Sequence, residues 1–491
     1  MAKLQSVLNI SGITINKNSP IPVYRQLYNE FRNAILTGVF RPGQQIPASR
    51  ELANYFNISR TTVLLAFENL LTEGYIKGKP GSGTFINNEL PENLLFTKQS
   101  VEKQNIALVK KTKAPEAKGS NFKKYLSQER LDYNKFEPFK PGIPDLNEFP
   151  FHIWTKLISN SGKDISKSDF GYSNSAGYKP LRNAIANYAR ASRGVKCENN
   201  QVIVVNGSQQ GIDLVCKILL NKNDNIGFEE PGYIGASDAF SAAGMNIIPM
   251  PMDEEGINFK KTKIKTNLVY VTPSHQYPLG ITMSLNRRLE LLDYSSSTGC
   301  WILEDDYDSE YRYKGQPLSS LQAIDNNNSV IYMGTFSKVM FPGLRLGYLI
   351  IPENLIESFT AAKMLTDRNS PILEQAALEK FITEGHYGRH IRRMRMIYQK
   401  RKEVFYNYVE KYFSEHIFLY PADAGLHTVG WLKKINNDAE FAKLMFNNGI
   451  YTPPLSSYSF TKKLKPGLVL GYAAYSEQQI KNAIKKMASL L

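Results

Sequence analysis

Short apolar runs alternate with helical segments through the last two thirds of the chain, and this alternation constrains the fold more than any other feature. The runs are VIVV at 202–205, NIGF near 225, LVYV at 268–271, WILE at 301–304 and VIYM at 330–333. Strands that alternate with helices form a mostly parallel sheet covered by those helices. The sequence therefore predicts an α/β domain whose ligand-binding side chains lie at the carboxyl ends of the strands.

Length and charge limit the class of protein. The chain has 491 residues, enough for two or three domains, and its 42% hydrophobic content can fill large cores and excludes a disordered protein. The net charge of +15 permits a polyanionic partner such as DNA. Charge alone does not establish that partner, because many basic proteins bind no nucleic acid.

The cysteines and the apolar stretches indicate the cellular compartment in which the protein is expected. Cys197, Cys216 and Cys300 lack metal-ligand spacing and cannot all pair with one another, which fits a reducing compartment and predicts no metal site. No signal peptide and no run of eighteen apolar residues is evident. We expect a soluble cytoplasmic protein that does not enter a membrane.

The first 86 residues are predicted to form three helices and a hairpin. Between Ile21 and about Gly38, apolar residues recur at helical spacing: Tyr24, Leu27, Phe31 and Ile35. Ser49 and Ser59 are predicted N-caps of a second and a third helix, and Gly74 ends the third. A hairpin with a Gly-rich tip at 79–83 follows. This order predicts a winged helix-turn-helix.

Polar residues open the third helix. Arg60, Thr61 and Thr62 occupy its first turn, where side chains and amides can meet a phosphate or a base edge, or can simply start a helix. The segment resembles the GntR-family DNA-binding domain, from PVYRQLYNEFRNAILTGVFRPGQQIPASRELA through ISRTTV to GSGTF. The resemblance implies double-stranded DNA as partner, contacted by Arg50, Arg60, Thr61, Thr62 and Gly81. One departure is Leu64, where some members carry a basic residue.

Hydrophobic periodicity fades at 87–136 and lysines accumulate, as in ALVKKTKAPEAKGSNFKK. We expect a basic, flexible linker whose function is spacing. The remaining residues, 137–491, then form the α/β domain.

The stretch GTFSKVMFPGLRLGY, at 334–348, suits a phosphorylated aldehyde. The Lys338 amine can form a Schiff base with a carbonyl. The hydroxyls of Thr335 and Ser337 and the guanidinium of Arg345 can hold a phosphate. Pyridoxal 5'-phosphate (PLP) is therefore the candidate cofactor.

Other candidate cofactor contacts follow predicted strands. Gly207, Ser208 and Gln209 open a helix, whose free amides can bind a phosphate. Tyr233 can stack on a pyridine ring or serve only in packing. His275 lies in a further strand-end loop, TPSHQYPLG.

Acidic residues end the strand in WILEDDYDSEYRY. A carboxylate facing the pyridine nitrogen keeps that nitrogen protonated. Neighbouring acids compete for this position, and Asp305 and Asp306 face opposite sides of an extended segment. Tyr307 lies on the same face as Asp305 and can reach the phenolic oxygen of the cofactor.

The chain after the linker resembles the fold-type I aminotransferases, on the lysine motif at 334–348 and on the acidic strand end. The resemblance implies that Asp305 meets the pyridine nitrogen and that Tyr172, five residues before Gly177, contacts a phosphate across a dimer interface. The TPSHQYPLG loop resembles the NPTG-type loop of that family but carries Tyr277 for asparagine and Leu279 for threonine. Together with the GntR-type head, the architecture resembles the MocR family of bacterial regulators, which implies a head-to-tail homodimer.

Residues that would bind a substrate carboxylate are lacking. No arginine follows Arg401, and Gly235 stands where a second carboxylate-binding arginine would be expected in a regulator that senses γ-aminobutyrate. The nearest cationic candidates there are lysines that match no motif: Lys433, Lys434, Lys462, Lys463 and Lys465. Backbone amides or hydroxyls around Ser456–Ser459 are further candidates. This argues against efficient transamination.

Three functional hypotheses remain. The first is a transcriptional regulator in which PLP, bound to Lys338 as an aldimine, modulates DNA binding, as in MocR members that control vitamin B6 synthesis. The second is a regulator that senses an amino acid or amine as a small-molecule effector through an external aldimine. The third is a PLP-dependent aminotransferase.

Overall fold

A computed structural model describes residues 10, 12–90, 138–315, 318–461 and 464–491. The chain divides into two compact units, Met1–Glu116 and Ala117–Leu491. The linker predicted at 87–136 lies outside the described residues from residue 91 onward.

The N-terminal unit has the predicted helices and hairpin. Its elements are α1 (Val23–Leu36), β1 (Gln45–Ile46), α2 (Ser49–Phe56), α3 (Arg60–Thr72), β2 (Ile76–Lys79) and β3 (Gly83–Ile86). Strand β3 pairs antiparallel with both β1 and β2. The apolar stripe of α1 is buried at Leu27, Phe31 and Ile35, which confirms the predicted amphipathic helix. This unit is a winged helix-turn-helix.

One predicted N-cap is confirmed and the other is wrong. The Ser59 hydroxyl accepts a hydrogen bond from the Thr62 amide at 3.1 Å. Ser49 is already the first helical residue of α2, and the N-cap position falls on Ala48. The Ala48 amide donates to the Glu51 carboxylate at 3.1 Å. Because the Glu51 carboxylate accepts from the Ala48 amide, the N-cap position falls on Ala48, one residue before the serine hydroxyl that could have capped the helix.

The large unit begins with the elements that build its main sheet. These are α4 (Phe151–Asp164), α5 (Lys179–Arg193), β4 (Val202–Val205), α6 (Ser208–Leu219), β5 (Asn225–Glu230), α7 (Ile234–Ala242), β6 (Asn246–Asp253), β7 (Gly256–Ile257), β8 (Leu268–Val271), α8 (Leu285–Thr298), β9 (Trp301–Asp306), α9 (Leu321–Ile324), β10 (Val330–Thr335), β11 (Gly347–Ile350), α10 (Ile356–Asp367) and α11 (Ile372–Thr383). All five apolar runs are strands.

The main sheet has eight strands in the order β4-β11-β10-β9-β8-β5-β6-β7. Strands β6, β5, β8, β9 and β10 run parallel, whereas β11 is antiparallel to both of its neighbours. Alternate residues of one strand enter different apolar clusters, Val202 and Val204 on one face and Ile203 and Val205 on the other. The sheet is therefore buried on both faces, as expected for a mostly parallel sheet covered by helices.

The C-terminal part adds a smaller sheet. Its elements are α12 (His386–Phe413), β12 (Ile417–Leu419), β13 (His427–Leu432), α13 (Asp438–Asn447), β14 (Gly467–Gly471) and α14 (Glu477–Ser489). The three strands are antiparallel, with β13 in the centre. No helix in the described ranges combines the length and apolar character that a membrane span requires.

Candidate cofactor site and DNA-binding surface

A cavity of about 170 Å³ opens at the carboxyl ends of β8, β9 and β10. Predicted contacts that line it are Gly207, Ser208, Tyr233, Asp305, Tyr307, Thr335, Ser337, Lys338 and Arg345. Residues that line it without having been assigned a contact are Pro141, Gly142, Tyr270, Thr272, Tyr277 and Pro342. Because ligands bind at the carboxyl ends of the strands in such a sheet, side chains that lie far apart in the sequence line one cavity here.

The Lys338 amine lies inside this cavity. Its Nζ donates a hydrogen bond to the Gly142 carbonyl at 2.8 Å. A Cβ on residue 142 would lie 3.2 Å from Nζ, so the glycine leaves room for the amine. Burial lowers the pKa of Lys338, and the carboxylates of Asp308 and Asp305 oppose that shift. A larger neutral fraction makes the amine a better nucleophile towards a carbonyl.

The two neighbouring aspartates have different surroundings. Asp305 lines the cavity, and the Tyr270 hydroxyl donates to its Oδ2 at 2.6 Å. Its Oδ1 is buried and has no hydrogen-bond partner in the described part of the chain. Burial raises the pKa of Asp305 to about 7. Asp306 points away and accepts from Arg193 Nε at 2.7 Å and from the Tyr332 hydroxyl at 2.6 Å. The Oδ1 of Asp306 is likewise without a hydrogen-bond partner among the described residues, but only Asp305 lines the cavity, so Asp305 is the carboxylate that a ligand there can reach.

Hydrogen-bond donors gather at one end of the cavity. Ser208 begins α6 and so exposes unpaired backbone amides. The Arg345 guanidinium donates to the Asn206 carbonyl at 3.1 Å, and a Cβ on Gly207 would lie 3.0 Å from it. The Thr335 hydroxyl accepts from the Ser337 amide at 3.2 Å. Helix amides, a guanidinium and hydroxyls together suit a phosphate.

Aromatic rings form the walls. Tyr233 and Tyr277 meet edge to face, with ring centroids 5.6 Å apart and an interplanar angle of 81°. Tyr277 also approaches Tyr458, hydroxyl to hydroxyl, at 3.3 Å. The Tyr307 hydroxyl lies 2.9 Å from His275 Nδ1. Aromatic rings that line a cavity can pack against a flat heteroaromatic ligand.

Three candidate contacts lie off the cavity. Gln209 is exposed and donates to the Gly235 carbonyl at 2.9 Å. His275 is buried behind Tyr307, with Nδ1 3.0 Å from an Asp308 carboxylate oxygen. Tyr172 is 87% exposed and carries the Arg368 guanidinium over its ring at 4.6 Å. Cofactor contacts by these residues stay predictions, and that of Tyr172 requires a second copy of the chain.

The donors around Ser456–Ser459, considered as carboxylate binders, are already engaged. The Ser456 amide and hydroxyl donate to Asp438 at 3.0 and 2.6 Å. Glu230 accepts from the Ser459 hydroxyl and from the Phe460 amide. These groups bind internal carboxylates, which removes them as substitutes for a substrate-binding arginine.

The candidate DNA contacts lie on the N-terminal unit. Arg60 and Thr61 are exposed in the first turn of α3, and Arg60 Nε donates to the Ser49 hydroxyl at 3.2 Å. The Thr62 hydroxyl lies 2.7 Å from that of Ser59 and so belongs to the helix cap. Arg50 is exposed on α2. Gly81, with φ of +72°, forms the open tip between β2 and β3, a backbone conformation that favours glycine.

Two families match the chain. Residues 145–487 match aminotransferase class I and II, and residues 23–86 match the bacterial regulatory proteins of the gntR family. The probable rhizopine catabolism regulatory protein MocR of Rhizobium meliloti is 34% identical, over 97% of this chain and 95% of its own length. The chain belongs to the MocR-type transcriptional regulators. The gntR part of a MocR-type regulator indicates DNA binding, and the aminotransferase part belongs to a PLP-dependent family.

This MocR-type regulator also resembles two proteins of lower sequence identity. The pyridoxine biosynthesis transcriptional regulator PdxR of Corynebacterium glutamicum is 27% identical, over 96% of each chain. The crystal structure of kynurenine aminotransferase from Pyrococcus horikoshii has a TM-score of 0.67 and 24% identity, covering 82% of this chain and 97% of its own. The structural similarity confirms the fold-type I aminotransferase fold.

Proposed function

We propose that PLP binds in the cavity through Lys338 and that its binding changes the affinity of the winged helix-turn-helix unit for DNA. The observation that supports this proposal most strongly is Asp305 Oδ1, a buried oxygen of a cavity-lining residue that has no hydrogen-bond partner among the residues that the structure describes. Buried polar atoms in native proteins are nearly always paired, so this oxygen calls for a donor from a ligand. A protonated pyridine nitrogen is such a donor.

The remaining cavity groups fit the other parts of PLP. When bound, the cofactor supplies an aldehyde carbon, with which the neutral amine of Lys338 can combine. Ser208, Thr335 and Arg345 hold the phosphate, and the Tyr307 hydroxyl reaches the phenolic oxygen. Tyr233 packs against the ring.

We further propose a head-to-tail homodimer with shared sites. Tyr172 is 87% exposed, and the Arg368 guanidinium lies over its ring at 4.6 Å, a cation–π contact that favours one orientation of the exposed ring. A partner subunit can use this tyrosine at its own phosphate site. A dimer also presents two winged units to two half-sites, and PLP can alter that presentation only if two arrangements of the dimer bind PLP with different affinities.

The proposed signal is PLP itself. Among the described residues that line the cavity, the cationic side chains are Lys338 and Arg345, and both are assigned to the cofactor. The carboxylate of an amino acid would be left without a cationic partner there, at a cost of several kcal/mol. The similarity to a regulator named for pyridoxine biosynthesis agrees with a role in vitamin B6 metabolism.

A second candidate is a regulator that senses an amine. It is favoured because the chain is 34% identical to a protein named for rhizopine catabolism and only 27% identical to the one named for pyridoxine biosynthesis. An amine effector predicts a change in the absorption spectrum of the PLP-loaded protein when the amine is added, whereas PLP sensing predicts none.

Absorption spectroscopy tests the cofactor proposal. Addition of PLP to the wild-type protein should produce the visible band of a protein-bound Schiff base, and Lys338→Ala should abolish it. The matched control is Lys217→Ala, since Lys217 is an exposed lysine of the same unit that pairs with Asp213 at 2.6 Å. A Schiff base retained in Lys338→Ala, or lost equally in Lys217→Ala, would overturn the assignment.

A further inference from the structure

Helix α3 carries on its exposed surface an apolar side chain, Leu64, that joins none of the apolar clusters formed by the described residues. Leu64 is 46% exposed, while Val63, Ala66, Phe67 and Leu70 of the same helix pack into the core of the winged unit. Exposure of a single leucine is ordinary in a protein surface. Its place on the helix that is expected to enter the major groove makes it informative.

Leu64 shares a face with the predicted DNA-contacting residues. It follows Arg60 by four positions and Thr61 by three, and residues at these spacings are neighbours on a helix surface. Leu65 has almost the same exposure, 43%, and follows Thr61 by four positions. It is turned by about 140° from Arg60 around the helix axis, whereas Leu64 is turned by about 40°, so the two leucines differ in their distance from Arg60. The chain thus offers two leucines of equal size and exposure, only one of them beside Arg60.

We propose that Leu64 reads a thymine by packing against its 5-methyl group. Of the base edges exposed in the major groove, only thymine presents an apolar group, whereas the others present hydrogen-bond donors and acceptors. A leucine cannot bond to those polar atoms and would desolvate them at a cost. The inference rests on DNA binding by the winged unit and does not depend on the cofactor proposal.

The helix geometry also predicts the position of this thymine relative to the base that Arg60 contacts. Four residues of an α-helix span about 6 Å along its axis. Base pairs are about 3.4 Å apart, so a helix lying along the groove separates the contacts of Arg60 and Leu64 by about two base pairs. Within the described part of the chain, the Arg60 guanidinium uses one N–H group for Ser49 and keeps others for a base, and guanine is the base that arginine prefers. Each half-site should therefore contain a thymine about two base pairs from a guanine.

The test uses the full-length protein and duplex oligonucleotides. A binding sequence is first selected from a library with 20 random base pairs, and the thymine of each half-site is then replaced by uracil, which removes only the methyl group. Wild-type affinity should fall about fourfold per half-site, the factor equivalent to about 0.8 kcal/mol for one buried methyl-sized group. Leu64→Ala should bind the thymine and uracil duplexes equally well.

Leu65→Ala is the matched control and should retain the wild-type preference for thymine. Leu64→Ala should also leave the salt dependence of binding unchanged, because no charge is removed. The proposal is overturned if the selected half-site lacks the thymine, if the wild-type protein ignores the uracil replacement, or if Leu65→Ala abolishes the preference. A library that yields no enriched sequence would contradict DNA-sequence recognition as a whole, including this proposal.

Discussion

Replacement of Asp305 by asparagine should stabilise the PLP-free protein in a pH-dependent way. The carboxyl group is buried, and its pKa in the folded protein is raised from near 4 to about 7. Between these two pH values the folded state keeps a proton that the unfolded state has released, so stability falls as pH rises through this window. About three pKa units correspond to an upper limit of roughly 4 kcal/mol above pH 7.

Urea denaturation of PLP-free wild type and Asp305→Asn at pH 8 and pH 5 measures this effect. The variant should gain up to roughly 4 kcal/mol in the unfolding free energy of the large unit at pH 8, and less than half of that gain at pH 5. Asp306→Asn is the control. Because it leaves the buried Arg193 guanidinium without its carboxylate partner, it should lose about 3–5 kcal/mol at both pH values.

The same substitution should weaken PLP binding. A hydrogen bond to a charged group contributes about 1.5–3 kcal/mol, so Asp305→Asn should bind PLP roughly ten- to hundredfold more weakly in an absorbance titration. The reasoning fails if Asp305→Asn destabilises the PLP-free protein as Asp306→Asn does, or if its PLP affinity equals that of the wild type.

Three further predictions concern other parts of the chain. Arg60→Ala should weaken sequence-specific DNA binding by about 1–3 kcal/mol in a fluorescence anisotropy titration and leave the PLP spectrum unchanged; equal losses of both would refute the separate roles of the two units. Ser59→Ala should lower the unfolding free energy of the winged unit by about 1 kcal/mol, whereas Ala48→Ser should raise it by up to about 1 kcal/mol because it supplies a side-chain cap for α2. Denaturation without DNA measures both changes, and a destabilised Ala48→Ser would contradict the cap assignment. Hybrid dimers of Lys338→Ala with Tyr172→Ala should regain one PLP site of wild-type affinity per dimer, because the proposed head-to-tail dimer supplies Tyr172 to the site of the partner subunit; no recovery would argue against shared sites.

Local sequence patterns predicted the elements that are fixed by local physics. The five apolar runs are strands because a strand buried on both faces must be apolar throughout. The period of two correctly set Asp305 and Asp306 on opposite faces of β9, one towards the cavity and the other towards Arg193. Ser59 was recognisable as a cap because its hydroxyl precedes a run of helical periodicity.

The features missed from the sequence depend on distant contacts or lack a local signal. Strand β1 has two residues and exists through pairing with β3. The Gly142 carbonyl accepts a hydrogen bond from Lys338, 196 positions away, and no sequence motif around Gly142 predicts that contact. The hydroxyl of Tyr270 meets Asp305 across adjacent strands, but in the run LVYV the tyrosine reads only as an apolar residue.

The central claim is that PLP on Lys338 controls DNA binding, and one measurement tests it directly. The affinity of the full-length protein for the upstream region of its own gene is measured at fixed salt, with PLP removed and then restored, for wild type and Lys338→Ala. PLP should change the affinity or the footprint of the wild type and have no effect on Lys338→Ala, which should still bind DNA with the affinity of the PLP-free wild type. Specific binding that is indifferent to PLP in the wild type, or an equal PLP response in Lys338→Ala, would contradict the account.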